Sequence, residues 1–267
     1  MGQVIAIAGK GGTGKTIFSA LLIRELANRG VSPILAVDAD ANYNLGDALG
    51  LKVSRTLADV TDEFMKSRSG LPQGMTKEAY LEMKVNGVII ESKGLDLLVM
   101  GRPEGAGCYC YINNLLKAQI GRLMSNYRFT VIDNEAGMEH ISRRTTPKID
   151  LLFIVADCSA KAIRAASRIK DLTKELDITV ERMYLVLTKS KNGLDESTVA
   201  EAKKTGLELA AVIPEDMAVA EQDVKGLPIV DLPPDSAAAK AVRGMVAKIL
   251  LVNEAMPAGQ AAGVGEN

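Results

Sequence analysis

The sequence predicts an α/β fold, three layers thick, with a mostly parallel central sheet flanked by helices on both faces. Three observations carry that expectation. Short β-branched, apolar runs alternate with longer helical stretches from end to end, the pattern of repeated βαβ units. Most runs are apolar almost throughout, as strands covered on both faces must be. Aromatic residues make up only 4% and Trp is absent, so the core must be built from Ala, Val, Leu and Ile, which suits helices packed on a buried sheet.

The strand candidates, in order, are Val4–Ala8, Pro33–Asp38, Leu95–Gly101, Phe129–Asp133, Leu151–Asp157, Met183–Thr188 and Leu209–Ile213. Each is a short aliphatic run bounded by turn formers or charged residues. The helical candidates between them are Lys15–Arg29, Asn114–Ser125, Ala160–Leu176, Glu196–Thr205 and Ser236–Val252, each long enough for several turns. No internal repeat and no linker divides the chain, so residues 1–253 read as one domain. Around 54–92 the pattern is less regular. Helical pieces there surround the turn signal Ser69-Gly70-Leu71-Pro72, as in an insertion lying over the sheet edge. Residues 254–267, rich in Gly and Ala, are expected to form a flexible C-terminal tail.

Lys+Arg is 32 against Asp+Glu 33, a formal net charge of −1. A nucleic-acid binder needs a clustered basic excess to neutralise phosphates, so no nucleic-acid partner is expected. No apolar run approaches the roughly 18 residues that span a bilayer, and the tail charges Glu254 and Glu266 do not make a basic membrane anchor. Neither a membrane partner nor a signal peptide is expected, and the expected location is cytoplasmic.

The strongest motif is Gly9-Lys10-Gly11-Gly12-Thr13-Gly14-Lys15-Thr16, set between an apolar strand and a helix. Successive glycines let backbone N–H groups close around phosphate oxygens, and the following helix points its positive end at the same anion. Lys15 would bridge the terminal phosphates and the Thr16 hydroxyl would ligate Mg²⁺, as in a P-loop NTPase. Asp133 ends an apolar strand, where a carboxylate would hold the Mg²⁺ through water. Asp38 and Asp40 follow the second strand, and both can point toward the phosphates. Guanine readers carry Asn-Lys-x-Asp; here the matching strand end is Thr188-Lys189-Ser190-Lys191, with no Asp, which favours ATP over GTP.

The lysine ahead of the glycines makes the loop similar to the deviant Walker A motif, Lys-Gly-Gly-x-Gly-Lys-Thr, of the MinD-like P-loop ATPases. That resemblance implies a three-layer P-loop fold, ATP/ADP with Mg(II), and a homodimer that forms face to face on ATP. By the same resemblance Lys10 crosses the interface to a nucleotide on the second subunit, Asp40 orients the attacking water and Asp38 lies near Mg²⁺. Gly137 gives its N–H to the γ-phosphate. Lys189 stands where the family has Asn followed by Lys or Arg, with Thr188 departing from the Asn and Asn192 a substitute for it. Pro214 and Glu215 resemble the segment that wraps the base.

The second informative stretch is Gly105-Ala106-Gly107-Cys108-Tyr109-Cys110. In an extended segment, residues two apart point their side chains the same way, so both sulfurs could bind one soft metal ion. One chain offers two thiolates where a closed site takes about four ligands, and a twofold dimer presents the same loop twice. Zn²⁺, Ni²⁺, Cu⁺ and an iron–sulfur cluster all suit four thiolates. Two unrelated thiols or a short-range disulfide are the plainer readings. The Cys-x-Cys pair, followed by Asn113-Asn114-Leu115-Leu116 and by Asp133-Asn134-Glu135-Ala136-Gly137-Met138-Glu139-His140, is similar to the CooC/AcsF group of nickel-insertion ATPases. That resemblance implies a dimeric carrier of Ni(II), with Zn(II) as a substitute in vitro, serving acetyl-CoA synthase or carbon monoxide dehydrogenase. A MinD/ParA-like positioning ATPase and an iron–sulfur electron-transfer ATPase are the alternatives. His140 and Cys158 read as ordinary polar and half-buried residues rather than further ligands.

Overall fold

A computed structural model describes residues 2–66, 74–102, 110–135 and 148–250, the side chains of 66 and 110–114 excepted. The strands are β1 (Gln3–Gly9), β2 (Ile34–Ala39), β3 (Ile90–Ser92), β4 (Leu95–Val99), β5 (Phe129–Asn134), β6 (Lys148–Asp157), β7 (Thr179–Ser190) and β8 (Glu208–Pro214). They form one sheet in the order β3-β4-β2-β5-β1-β6-β7-β8. Every pairing is parallel except that of the edge strand β3 with β4. The α/β, three-layer expectation therefore holds.

The helices are α1 (Lys15–Asn28), α2 (Asn44–Ala48), α3 (Leu57–Lys66), α4 (Lys77–Asn86), α5 (Cys110–Met124), α6 (Ala160–Glu175), α7 (Glu196–Lys204), α8 (Met217–Lys225) and α9 (Ala237–Ile249). A 3₁₀ turn spans Ile229–Asp231. Helices α1, α2 and α9 cover one face of the sheet in a cluster that includes Ile5, Ile7, Phe18, Phe153 and Val246. On the other face, α6 and α7 cover β6 and β7, while α3, α4 and α5 cover β2, β4 and β5.

Parallel strands put all their carboxyl ends at one edge, and the register fixes which residues meet there. Ile7 lies beside Asp133, Asp38 beside Asp133, and Gly9 beside Val155. At Gly9 the approach is close enough that a Cβ would collide with the Val155 carbonyl oxygen. The phosphate loop thus leaves the sheet between the two strands that hold its neighbours.

The elements that the sequence pattern did not reveal are mostly short or bury little; α2, five residues long, is the exception that buries Leu45 and Ala48. Helix α8 has no buried residue, and its Met217 and Val224 are 77% and 88% exposed, so no apolar face marks it. Strand β3 is three residues long, and two of the three, Glu91 and Ser92, are polar. The polar first half of β7 is exposed and is held by its ladder to β6, beginning at Lys148 beside Thr179, rather than by burial. Helix α5 starts at Cys110, four residues before the expected Asn114, because the helical backbone begins ahead of Leu115 and Leu116, which mark its packed face. The extended geometry expected for the Cys108–Cys110 pair therefore does not hold at Cys110. Cys108 and residues 254–267 lie outside the described residues.

Candidate nucleotide site

The glycine-rich loop enters α1 through Gly14, whose φ of 86° lies in the left-handed region that a Cβ would disfavour. Inside the loop the Lys10 carbonyl accepts from Thr13 Oγ1 at 2.8 Å and from Lys15 Nζ at 3.5 Å. Lys15 is buried, whereas Lys10 is exposed and free to reach away from its own loop. The end of β7 clasps the loop from behind: Thr188 Oγ1 donates to the Thr13 carbonyl at 2.7 Å, and Lys189 Nζ donates to the Gly12 carbonyl at 2.8 Å.

In front of the loop lies a cavity of about 1000 Å³, at the carboxyl edge of the sheet. Gly11, Gly12, Gly14, Lys15 and Thr16 form one wall, Asp40 and Asn42 a second, and the stretch from Gln222 to Ile229 a third. Such a volume takes a nucleoside triphosphate, and the loop wall is the anion end of it.

The carboxylates of the site have distinct surroundings. Asp133 is 1% exposed and accepts from Thr16 Oγ1 at 2.7 Å and from Ser19 Oγ at 3.0 Å. Burial pushes it up to about 6 against the pull of those two hydroxyls and of Lys15. Asp38 is wholly buried and forms no part of the cavity wall. Its Oδ1 accepts the Asp40 N–H at 3.0 Å and its Oδ2 the Leu45 N–H at 2.8 Å. Burial raises it to about 7, with the nearby Asp133 and Asp40 charges adding to the rise. Asp38 thus holds the turn that carries Asp40 into the wall. Asp40 Oδ1 accepts from the N–H and the Nδ2 of Asn42, at 2.9 and 3.1 Å.

A family model described as the CobQ/CobB/MinD/ParA nucleotide-binding domain matches residues 4–229. The chain belongs to this family. It is therefore a P-loop ATPase, a fold that binds ATP or ADP with Mg²⁺. Among its relatives, an uncharacterized ATP-binding protein of Methanocaldococcus jannaschii is 43% identical over 93% of this chain and 98% of its own. The carbon monoxide dehydrogenase accessory protein CooC of Rhodospirillum rubrum is 29% identical over 86% of this chain and 90% of its own. MinD of Pyrococcus horikoshii, solved with Mg-ADP, superposes with a TM-score of 0.66 at 23% identity, covering 94% of this chain and 98% of that one.

The hard oxygen donors Thr16 Oγ1 and Asp133 suit Mg²⁺, since they already stand within a hydrogen bond of each other. Ser19 went unnoticed in the sequence. Only its place one helical turn beyond Thr16, on the buried side of α1, marks it as a second support for Asp133. Thr188 stood out as a departure from the family pattern, and its hydroxyl is spent on the phosphate loop. Pro214 and Glu215 do not line the cavity; the Glu215 N–H donates to the Ser190 carbonyl at 2.9 Å and ties β8 to β7. Asn192 lines a neighbouring cavity of about 500 Å³, together with Lys189 and Cys158. Gly137 and His140 lie outside the described residues. Among the described residues no group of three or more His, Cys, Asp or Glu side chains could hold a metal, and no helix is long and apolar enough to cross a membrane.

The raised carboxyls set a pH dependence. Folding raises Asp133 and Asp38 above their ordinary 3.8, so in the metal-free protein their contribution to stability is full below about pH 4 and is lost as the pH rises through 6 and 7. Magnesium acts in the opposite sense at Asp133, because it needs the carboxylate. The affinity for Mg·ADP is expected to fall about tenfold per pH unit below 6. Fluorescent-ADP titrations with and without Mg²⁺ from pH 5 to 8 check this; equal pH slopes in the two series would refute it.

Proposed function

We propose that this P-loop ATPase is an ATP-dependent metallochaperone. It carries Ni(II) on Cys108 and Cys110 of two protomers and delivers it to acetyl-CoA synthase or carbon monoxide dehydrogenase. The observation that carries the proposal is the site of the Cys-x-Cys pair in the chain. Cys108 falls in the connection from β4 to α5 and Cys110 is the first residue of α5; that connection leaves the sheet at the same edge as the phosphate loop, where the Met100 N–H donates to the Asp38 carbonyl at 2.8 Å. The similarity to CooC, a carbon monoxide dehydrogenase accessory protein, supports the choice of cargo.

In this reading Lys15 and the amides of Gly11, Gly12, Thr13 and Gly14 hold phosphate. Thr16 and Asp133 hold Mg²⁺, which supplies charge stabilisation at the phosphates when bound. Asp40 orients the attacking water, and Lys10 neutralises charge on the partner's nucleotide, as an arginine finger does. Closure of the dimer brings four sulfurs together and hydrolysis separates them. ATP and metal are then linked because both prefer the closed dimer.

Anaerobic titration with Ni²⁺ and with Zn²⁺, read by light scattering with ATP, with ADP and without nucleotide, tests this. One metal per dimer is expected, bound more tightly with nucleotide and lost in Cys108→Ser and in Cys110→Ser, while slow ATP hydrolysis persists in both variants. No stoichiometric binding would sink the metallochaperone. The MinD/ParA fold likeness supports a second reading, a positioning ATPase acting on a membrane or DNA; cosedimentation with liposomes or DNA is the result that would favour it.

A further inference from the structure

Two walls of the nucleotide cavity differ in chemistry. The loop wall offers backbone amides and Lys15, whereas the third wall offers Gln222, Asp223, Gly226, Leu227, Pro228 and Ile229, with no cation among them. A carboxylate repels polyphosphate, and apolar surface suits the face of a base. The third wall is a strap. It runs along α8, turns at Gly226 with a left-handed φ of 62°, and ends in the 3₁₀ turn. At the bend the Leu227 N–H donates to the Gln222 carbonyl at 2.9 Å and closes the helix end.

Helix α8 contributes no fully buried residue, so packing of that helix does not fix the strap. Polar and close contacts along it do. At its start Asp216 Oδ1 accepts the Ala218 N–H and Oδ2 accepts the Ala238 N–H of α9, both at 2.9 Å. Further on, Pro228 lies against Gly50, where an added Cβ would come within 3.2 Å of Pro228 Cγ. At its end the half-buried Arg24 of α1 donates from Nη1 to the Val230 carbonyl at 3.2 Å and to the Leu232 carbonyl at 2.7 Å. The buried side chains of Ile229 and Leu232 anchor the same turn in the core.

We propose that Arg24 is a positioning residue for nucleotide binding, holding the strap against the nucleoside half of the ligand. Arg24 stands eight residues beyond Thr16 on the same helix, about 12 Å along its axis. The head of α1 therefore meets the phosphates, and a point two turns further on grips the strap. The helix is a rigid spacer that sets the wall at a fixed distance from the anion cradle before the ligand arrives. Such preorganisation adds affinity by removing the cost of ordering the wall on binding. The phosphates draw nothing from the strap, whereas the nucleoside does. The inference rests on the nucleotide reading of the cavity and is independent of any metal cargo, so its test needs no thiol.

The test compares Mg·ADP with magnesium tripolyphosphate, which carries phosphates and no nucleoside, each titrated calorimetrically into the full chain. Arg24→Met keeps the aliphatic stem and removes the donors. It is expected to weaken ADP about tenfold, the lower end of what hydrogen bonds to a charged group contribute, and to change tripolyphosphate by less than about twofold. Arg24→Lys, whose ammonium can still reach a carbonyl, should recover part of the ADP affinity. In the wild type, hydrogen exchange over 222–232 should slow with ADP and stay unchanged with tripolyphosphate, a comparison that needs no variant to fold. Equal losses for both ligands in Arg24→Met, or an unchanged ADP affinity, overturn the proposal. So does wild-type exchange that both ligands slow alike or that neither slows. Failure of both variants to fold makes Arg24 a brace of the fold and overturns its positioning role. A wild type that binds neither ligand would sink the nucleotide reading of the cavity itself, whereas one that binds both and fails these comparisons loses only the role of Arg24.

Discussion

Asp40→Ala is expected to bind ATP and to hydrolyse it about 10²–10⁴-fold more slowly than the wild type, the range that loss of a positioned acid–base group produces. The carboxylate stands in the wall of the nucleotide cavity, on a turn held by the two backbone bonds to Asp38. Both bonds from Asn42 fall on Oδ1, so among the described residues Oδ2 is the oxygen left for a water. In the proposed site phosphate is gripped elsewhere, by the loop amides and Lys15, so affinity should survive the change. Single-turnover phosphate release beside nucleotide-binding titration separates the two effects. Hydrolysis at the wild-type rate would move water activation to another residue, and a parallel loss of affinity would make Asp40 part of the binding wall instead.

The second large effect concerns stability. Phe153→Ala is expected to cost about 3–5 kcal/mol, as other buried Phe truncations do, against a total of about 5–15 kcal/mol for a domain. Phe153 is 0% exposed in β6. Its ring meets Phe18 of α1 edge-on, centroids 5.4 Å apart, and stacks on Tyr184 of β7 at 5.7 Å. The chain has few aromatic residues, and three of them are spent on fastening the phosphate-loop helix to the sheet. Urea unfolding measures the loss, and added Mg·ADP should recover part of it, because a ligand of the folded state stabilises by mass action. A change below about 1 kcal/mol, the size of a surface effect, would show that the cluster relaxes around the gap.

The phosphate loop and Asp133 were legible because their chemistry is local or nearly so. Glycines, one lysine and one hydroxyl within eight positions already define an anion cradle, and an aspartate ending an apolar run can only stand at a strand end. Asp38 and Asp40 were legible as a pair but not in their division of labour. Two acids one residue apart look alike in the sequence, and only burial tells them apart. Asp38 is sealed behind the wall, where it accepts two backbone N–H groups, and Asp40 faces the cavity. Helix α8 escaped notice for the opposite reason: none of its residues is fully buried, and periodicity records only faces that are buried.

By itself the sequence determined the layering and the glycine-rich loop between β1 and α1, and it singled out Thr16 and Asp133, because hydrophobic period and loop composition act over a few neighbouring residues. It also marked two thiols that follow a glycine-rich stretch. The tertiary structure alone decided the strand order, and with it every partner distant in the chain. Among these are Ser19 on Asp133, Thr188 and Lys189 on the phosphate loop, and Asn134 on Ile7. Each joins residues more than a hundred positions apart, whose meeting depends on which strands lie side by side and in what register. That choice is made by the burial of the whole sheet, and no single segment encodes it.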